Sequence, residues 1–335
     1  MWPISIVNMK FPEMIRMNKL VHNIIDSNEG SQHYSFTFNS LKWIDPSGAI
    51  IFMETLENLR EKEATVDFID IENELRSAIS YGIRMGIFQK IGLSNQSMSK
   101  EGKTFIAPTK IKRSEVYEFL NNENKNIEYY FEYISEKLSN KILREDDIVY
   151  DEHLKELFTY VIRELIRNIF DHSNSEYFYY GSQFIPKTRN VEFVIADRGL
   201  GLKKTIPFDV EEKWYGQDTT ESAIRKAFTP GISAESNHSY ASQDYLNSGY
   251  GLAIIKSLIL AAEGTLSLAT SDKAITFTEK NQNIEECNIK GTIIRIRVDL
   301  DNLSTVNFKN QLKLVEEEAK AMGIISKPSR SSQNL

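Results

Sequence analysis

The sequence predicts an α/β protein in four stretches: a small βα unit over 1–110, a helical connector over 111–145, a larger α/β unit over 146–302, and a helix with a polar tail over 303–335. Three observations predict it. β-type runs alternate with helix-period stripes early in the chain. A long amphipathic stripe from Leu154 to Phe170 precedes strand-like runs at Tyr177–Phe184 and Val191–Ala196. Glycines cluster where a strand ends, at Asp197–Gly201, and where a helix begins, at Gly249–Leu252.

Residues 1 to about 30 show no clear periodicity, and the first regular signal is the alternation of Tyr34–Phe38, which suits a strand. Leu41–Ile44 reads as a second strand ending in the turn Asp45-Pro46-Ser47-Gly48. Ile50, Ile51, Met53, Leu56 and Leu59 then recur at helical spacing, and Val66–Ile69 is the next strand. Strand, turn, helix and strand in that order form a βαβ-type unit, which carries a parallel sheet under its helices. A further helix is expected from Ala78 to Ile91, ending at Gly92. In the connector, Tyr117, Leu120, Ile127, Tyr130, Phe131, Ile134 and Leu138 mark an interrupted apolar stripe. With no sustained heptad, it reads as helices packed on their neighbours rather than a coiled coil. Beyond the motif helix, Gly291–Val298 alternates as a late strand, Phe308–Ala321 reads as a helix, and the polar end from Ser326 is expected to be disordered.

A chain of 335 residues with 41% hydrophobic content can bury a full core. Its formal charge of -7 argues against a surface built to hold nucleic acid or anionic lipid. Cys287 is the single cysteine and has no internal partner for a bridge, which together with the lack of a basic-then-apolar leader fits a reducing, cytoplasmic setting. Leu252–Ala262 is apolar but interrupted by Lys256 and Ser257, and too short to cross a bilayer.

The chemistry concentrates in the larger unit. On a helix, Glu164, Asn168 and His172 stand at i, i+4 and i+8, so a carboxylate, an amide and an imidazole share one face. The strand Val191–Ala196 ends on Asp197, and Gly199 and Gly201 allow a sharp turn and close approach of a flat ligand. Taken alone, that pattern reads as a strand-ending turn. Gly249-Tyr250-Gly251 precedes the helical run from Leu252, where backbone N–H groups and the positive end of a helix dipole suit phosphate, although a plain loop-to-helix entry has the same pattern. Mg²⁺ prefers oxygen ligands and keeps several waters, so an amide oxygen from Asn168 with phosphate oxygens makes a reasonable sphere. Glu164 can then orient or deprotonate a water or hydroxyl.

In these motifs and their order the chain resembles the GHKL ATPases, over about residues 146 to 302. Glu164, Asn168, Asp171 and His172 fall on that family's N box, Asp197, Gly199 and Gly201 on its first glycine box, and Gly249, Gly251 and Leu252 on its second. Gly291-Thr292 matches its last box. The resemblance implies a Bergerat-fold α/β sandwich binding ATP with Mg²⁺. Asp197 would receive the adenine amino group, with Thr292 assisting; Asn168 would hold the metal, Glu164 would be the general base, and residues 202–248 would be a lid. Asp171-His172 in place of a lysine three residues after Asn168 is closest to the anti-sigma-factor serine-kinase branch. His22, His33, His153 and His238 do not form a phospho-acceptor hairpin, so histidine autophosphorylation is not expected.

Residues 33–110 resemble the STAS fold of anti-anti-sigma factors, with Asp45-Pro46-Ser47-Gly48 in place of the family's Asp-Ser-Ser/Thr-Gly phosphorylation turn. Ser47 is thus the sole candidate acceptor there, against a simpler role in capping the helix. The two resemblances together imply a cytoplasmic, partner-switching regulator that hydrolyses ATP or phosphorylates a protein serine. Its partner would be a regulatory protein of STAS-like or sigma/anti-sigma type, with a homodimer also conceivable. The alternative is an ATP-driven conformational switch of the Hsp90 and MutL kind; a non-enzymatic nucleotide-sensing adaptor is a third class.

Overall fold

The computed structural model describes residues 3–27, 33–69, 77–93, 104–143, 152–206, 218–232, 248–324 and 326–329. Its first part runs β1 (Ile4–Ser5), β2 (Asn8–Met9), α1 (Phe11–Ser27), β3 (His33–Thr37), β4 (Trp43–Ile44), α2 (Pro46–Glu61), β5 (Thr65–Phe68), α3 (Ser77–Arg84) and α4 (Ile87–Lys90). The expected βαβ unit is found only in part: its helix and both strands form, but the strand before the helix, β4, pairs in parallel with β2, while β5 lies in a separate parallel sheet in the order β1-β3-β5.

Helix α1 is a difference from the sequence reading. Phe11, Met14, Ile15, Asn18, Val21 and His22 form its buried face, and polar residues among them blur the period. Asn18 explains itself: its amide donates to Thr55 Oγ1 at 3.0 Å and its oxygen accepts the Asn288 N–H at 2.7 Å, tying α1 to α2 and to a distant strand. The expected helix Ala78–Ile91 is split into α3 and α4 at Gly86, whose φ of 69° is left-handed.

Helix α2 starts earlier than expected. Asp45 is its N-cap, accepting the Gly48 N–H and the Ser47 hydroxyl, each at 2.8 Å, and Pro46 supplies a first helical residue that needs no hydrogen-bond partner. Asp45 is therefore the cap rather than Ser47, because the shorter-reaching hydroxyl sits inside the first turn. Ser47 is fully buried.

The second part is β6 (Phe105–Lys112), α5 (Arg113–Glu123), α6 (Ile127–Leu143), α7 (Glu152–Asn168), β7 (Tyr177–Ile185), β8 (Asn190–Asp197), α8 (Leu202–Thr205), α9 (Thr220–Ala227), α10 (Gly251–Ala261), β9 (Thr265–Phe277), β10 (Gln282–Asp299), α11 (Leu300–Ser304) and α12 (Phe308–Ala321). Its sheet is antiparallel in the order β6-β7-β8-β10-β9. The boundary expected near residue 110 falls inside β6, which pairs with β7 and so belongs to this sheet.

Both faces of the sheet are covered. Along β8, Val191, Phe193 and Ile195 enter a core shared with α6, α7 and α10, whereas Val194 and Ala196 enter a core with α1 and α2. The period-two alternation of a strand thus feeds two helical layers, giving a mixed α/β protein in which α2 is sandwiched between the small parallel sheet and the back of the large one. Residues 326–329, expected to be disordered, are instead held: the Tyr250 hydroxyl donates to the Ser326 carbonyl at 2.6 Å, and the Ser329 N–H donates to Ser248 Oγ at 3.0 Å. Within the expected lid, 207–217 and 233–247 lie outside the described residues, as does His238. Among the described residues no helix is long and apolar enough to cross a membrane.

Candidate functional site

The motif helix α7 ends at Asn168 and widens into a single π-helical turn, Ile169–Ser173. Such turns leave carbonyls poorly matched to the helical ladder and frequently mark functional sites. Here they are collected by Arg113, which donates to the carbonyls of Ile169, Phe170 and Ser175 at 3.1, 3.3 and 3.0 Å, its guanidinium lying 4.7 Å from the Phe170 ring. Arg113 escaped the sequence reading because it belongs to no motif. Its one signal is a cation directly after an alternating strand.

Opposite that turn, β8 delivers Asp197 at its C-terminal end, directly across from Thr292 on β10. Between these elements lies a partly open cavity. Asn168 and His172 line it from the motif helix, Asp197 and Thr292 from the sheet, and Gly201, Gly249, Gly251 and Leu252 from the two glycine segments. Ile195, Ile294, Leu165 and Ile169 add apolar surface between the polar groups, the composition of a site for a flat, partly polar ligand.

Three sequence candidates do not line the cavity. Gly199 lies behind it: its N–H donates to Asp197 Oδ1 at 2.7 Å, and a Cβ added there would stand 1.8 Å from the Ser173 carbonyl oxygen. The neighbouring Leu200 N–H donates to that same carbonyl at 2.8 Å, so the Asp197–Gly201 turn docks on the π-turn backbone to backbone. Gly199→Ala is expected to lower stability by about 1–3 kcal/mol and to dislodge Asp197, since the obstacle is backbone and cannot rotate away. A thermal melt with a ligand-binding titration checks this.

Glu164 is fully buried beneath the start of α10, where a Cβ on Gly251 would lie 2.6 Å from its Oε2. Its partners are Arg167, Nη2 to Oε2 at 3.0 Å, and Arg163, Nε to Oε1 at 3.8 Å. Asp171 flanks the other side of Arg167, 3.8 Å from Nε.

Burial shapes the site's charge. It pushes the Asp197 carboxyl up to about 7, against the opposing pull of the Gly199 N–H and the positive charge of Arg113. Burial, with Arg167 nearby, lowers His172 to about 4, so its imidazole is neutral near pH 7. Asp197 thus offers one oxygen engaged by Gly199 and a second for a ligand's N–H donor. Among the described residues no group of three or more His, Cys, Asp or Glu side chains is placed to hold a metal ion. Asn168 is the cavity-lining group suited to one through its amide oxygen, and its amide nitrogen is buried with no hydrogen-bond partner among the described residues. One amide with phosphate oxygens and water fits the sparse coordination Mg²⁺ takes from proteins.

Arg198, next to Asp197, turns away from the cavity toward α2, donating to Glu54 Oε2 at 2.6 Å and Asn58 Oδ1 at 2.9 Å and pairing with Glu61 at 2.9 Å and Glu57 at 3.3 Å. The sequence reading missed this residue; the spacing of Glu54, Glu57 and Glu61 along one helix was its available signal. No protein-family model matches the chain, and no curated protein matches it.

Proposed function

We propose that the protein is a Mg-ATP-binding regulatory protein of GHKL type, with a Bergerat-like larger unit and a STAS-like smaller one, acting as a nucleotide-dependent switch toward a regulatory protein partner. The observation that carries this reading is the buried Asp197 carboxyl facing a largely apolar cavity, with Thr292 across from it in register. A carboxylate set among apolar side chains can accept from an amino group on an aromatic ring, as adenine carries. Asn168 and the N-terminus of α10 are supplementary features suited to magnesium and phosphates.

The switch is favoured over a protein kinase acting on its own turn. Ser47 is fully buried, and its hydroxyl donates to Asp45. Glu164 lies outside the cavity, 3.0 Å from Arg167 Nη2 and 3.8 Å from Arg163 Nε, so turnover requires it to turn toward the nucleotide. Phosphorylation of a serine on a separate partner remains the second reading, supported by the Asp171-His172 pattern.

Incubation with γ-labelled Mg-ATP tests the reading. Bound nucleotide with slow release of free phosphate is the expected result, and label on a protein serine would establish the kinase instead. Glu164→Ala should keep binding and lose phosphate release. Absence of nucleotide binding at millimolar Mg-ATP overturns the proposal.

A further inference from the structure

Arg167 is 3% exposed and Glu164 is 0% exposed, yet the pair is poorly satisfied. Their 3.0 Å approach is an ion pair without hydrogen-bond alignment: neither Glu164 oxygen accepts a hydrogen bond, and Arg167 Nε and Nη1 donate none, although Nε stands 3.8 Å from Asp171. The next residue, Asn168, adds a third orphaned nitrogen. Buried polar atoms without partners are rare and costly, and three donors on two consecutive residues require explanation. They call for an anionic acceptor. A guanidinium fork matches phosphate oxygens in geometry as well as charge.

The location selects which phosphate. With the base at Asp197, the cavity groups left for the triphosphate are Asn168 and the segment Gly249–Leu252; Glu164 and Arg167 do not line the cavity, but Arg167 directly precedes Asn168. Glu164 touches Gly251, and the Arg167 charge is felt by cavity-lining His172.

We propose that Arg167 reads the terminal phosphate of the nucleotide, and that Glu164 holds it in reserve until that phosphate arrives. This rests on the Mg-ATP reading above. A triphosphate outcompetes one poorly aligned carboxylate for the guanidinium, which leaves Glu164 free beside Gly251; a diphosphate, lacking the distal oxygens, leaves the ion pair closed.

Calorimetry with Mg-ATP and Mg-ADP on the full chain and two variants tests this. Arg167→Met is expected to lower ATP affinity roughly tenfold while leaving ADP affinity unchanged, the loss of one charge-assisted contact. Glu164→Gln, which keeps the shape and releases the guanidinium, should shift the ATP-to-ADP preference the opposite way. Retained ADP binding shows that each variant is folded. Equal losses for both nucleotides in Arg167→Met, or an unchanged preference in Glu164→Gln, overturn the inference while leaving nucleotide binding intact. Failure of the unaltered protein to bind either nucleotide sinks the Mg-ATP reading and this inference with it.

Discussion

Asp197→Asn is expected to weaken adenine-nucleotide affinity roughly tenfold to a hundredfold, the effect of about 1–3 kcal/mol for a lost buried hydrogen-bond partner. The substitution is nearly isosteric, so its effect is chemical. The Gly199 N–H holds one oxygen at 2.7 Å. An asparagine keeping that bond must aim its NH₂ where a ligand's amino group would donate, setting donor against donor.

The same carboxyl makes the pH dependence specific. Folding raises the Asp197 pKa to about 7 from 3.8, so between these values the folded state binds more protons than the unfolded chain. Its contribution to stability is accordingly fully present below about 3.8 and is lost as pH rises through 7. Binding runs the other way. A ligand amino group needs the ionised form, so affinity should fall about tenfold per unit as pH drops below 7. His172, lowered to about 4, does not change charge in that window. Calorimetric titration across pH 5.5 to 8.5 should show the slope in the unaltered protein and none in Asp197→Asn. A parallel slope in both would remove Asp197 from the ligand.

Arg198→Ala is expected to cost about 3–5 kcal/mol of stability, the penalty for stranding buried charge. The guanidinium lies among Glu54, Glu57 and Glu61; without it Glu57 keeps Lys110, Tyr177 and Tyr179 and Glu61 keeps Lys290, but the buried Glu54 loses its cation. Burial already pushes Glu54 up to about 7 even with Arg198 pulling it down. The destabilisation should therefore be larger at pH 8, where Glu54 without Arg198 must be buried as an unpaired charge or take up a proton against the solution pH, than at pH 5, where it is protonated readily. Urea unfolding at the two pH values measures the difference. Adding Glu54→Ala should restore part of the loss, and a simple sum of the two single effects would show that the pair is not coupled. Because Arg198 adjoins Asp197, the same variants should disturb ligand affinity as well, linking the smaller unit to the cavity.

Legibility followed the range of the interactions involved. β3, α2, β5, β7, β8 and the helix Phe308–Ala321 were readable because strand alternation and helical stripes are local patterns, but which strands share a sheet was not. Asn168, His172, Asp197, Gly201, Gly249, Gly251 and Leu252 were readable as neighbours of a site because their spacing lies in a few consecutive positions, whereas Glu164, Asp171 and Gly199, drawn from the same patterns, lie outside the cavity. Helix α1 was hidden because Asn18 and His22 occupy its buried face, and their burial is tolerable only with groups brought from elsewhere, as the Asn18 bonds to Thr55 and Asn288 show. β9 was missed where serine, threonine and alanine interleave with the apolar residues.

By itself, then, the order of residues determined an α/β protein and the short segments from which a cavity is built: the carboxylate closing β8, the amide ending α7, and the glycines that open α10. Only the tertiary structure decided which carboxylates face that cavity. Glu164 and Asp197 look equally available in one dimension, yet the first lies against Arg163, Arg167 and Gly251 outside the cavity, while the second lines it with the Gly199 N–H on one oxygen. It also decided that α2 and the large sheet share one core, through Arg198 and the alternate face of β8. The reason is physical. Propensity and periodicity act over a few residues, whereas the pairing of buried charges depends on which chain segments meet, and contact between positions far apart in sequence leaves no local trace.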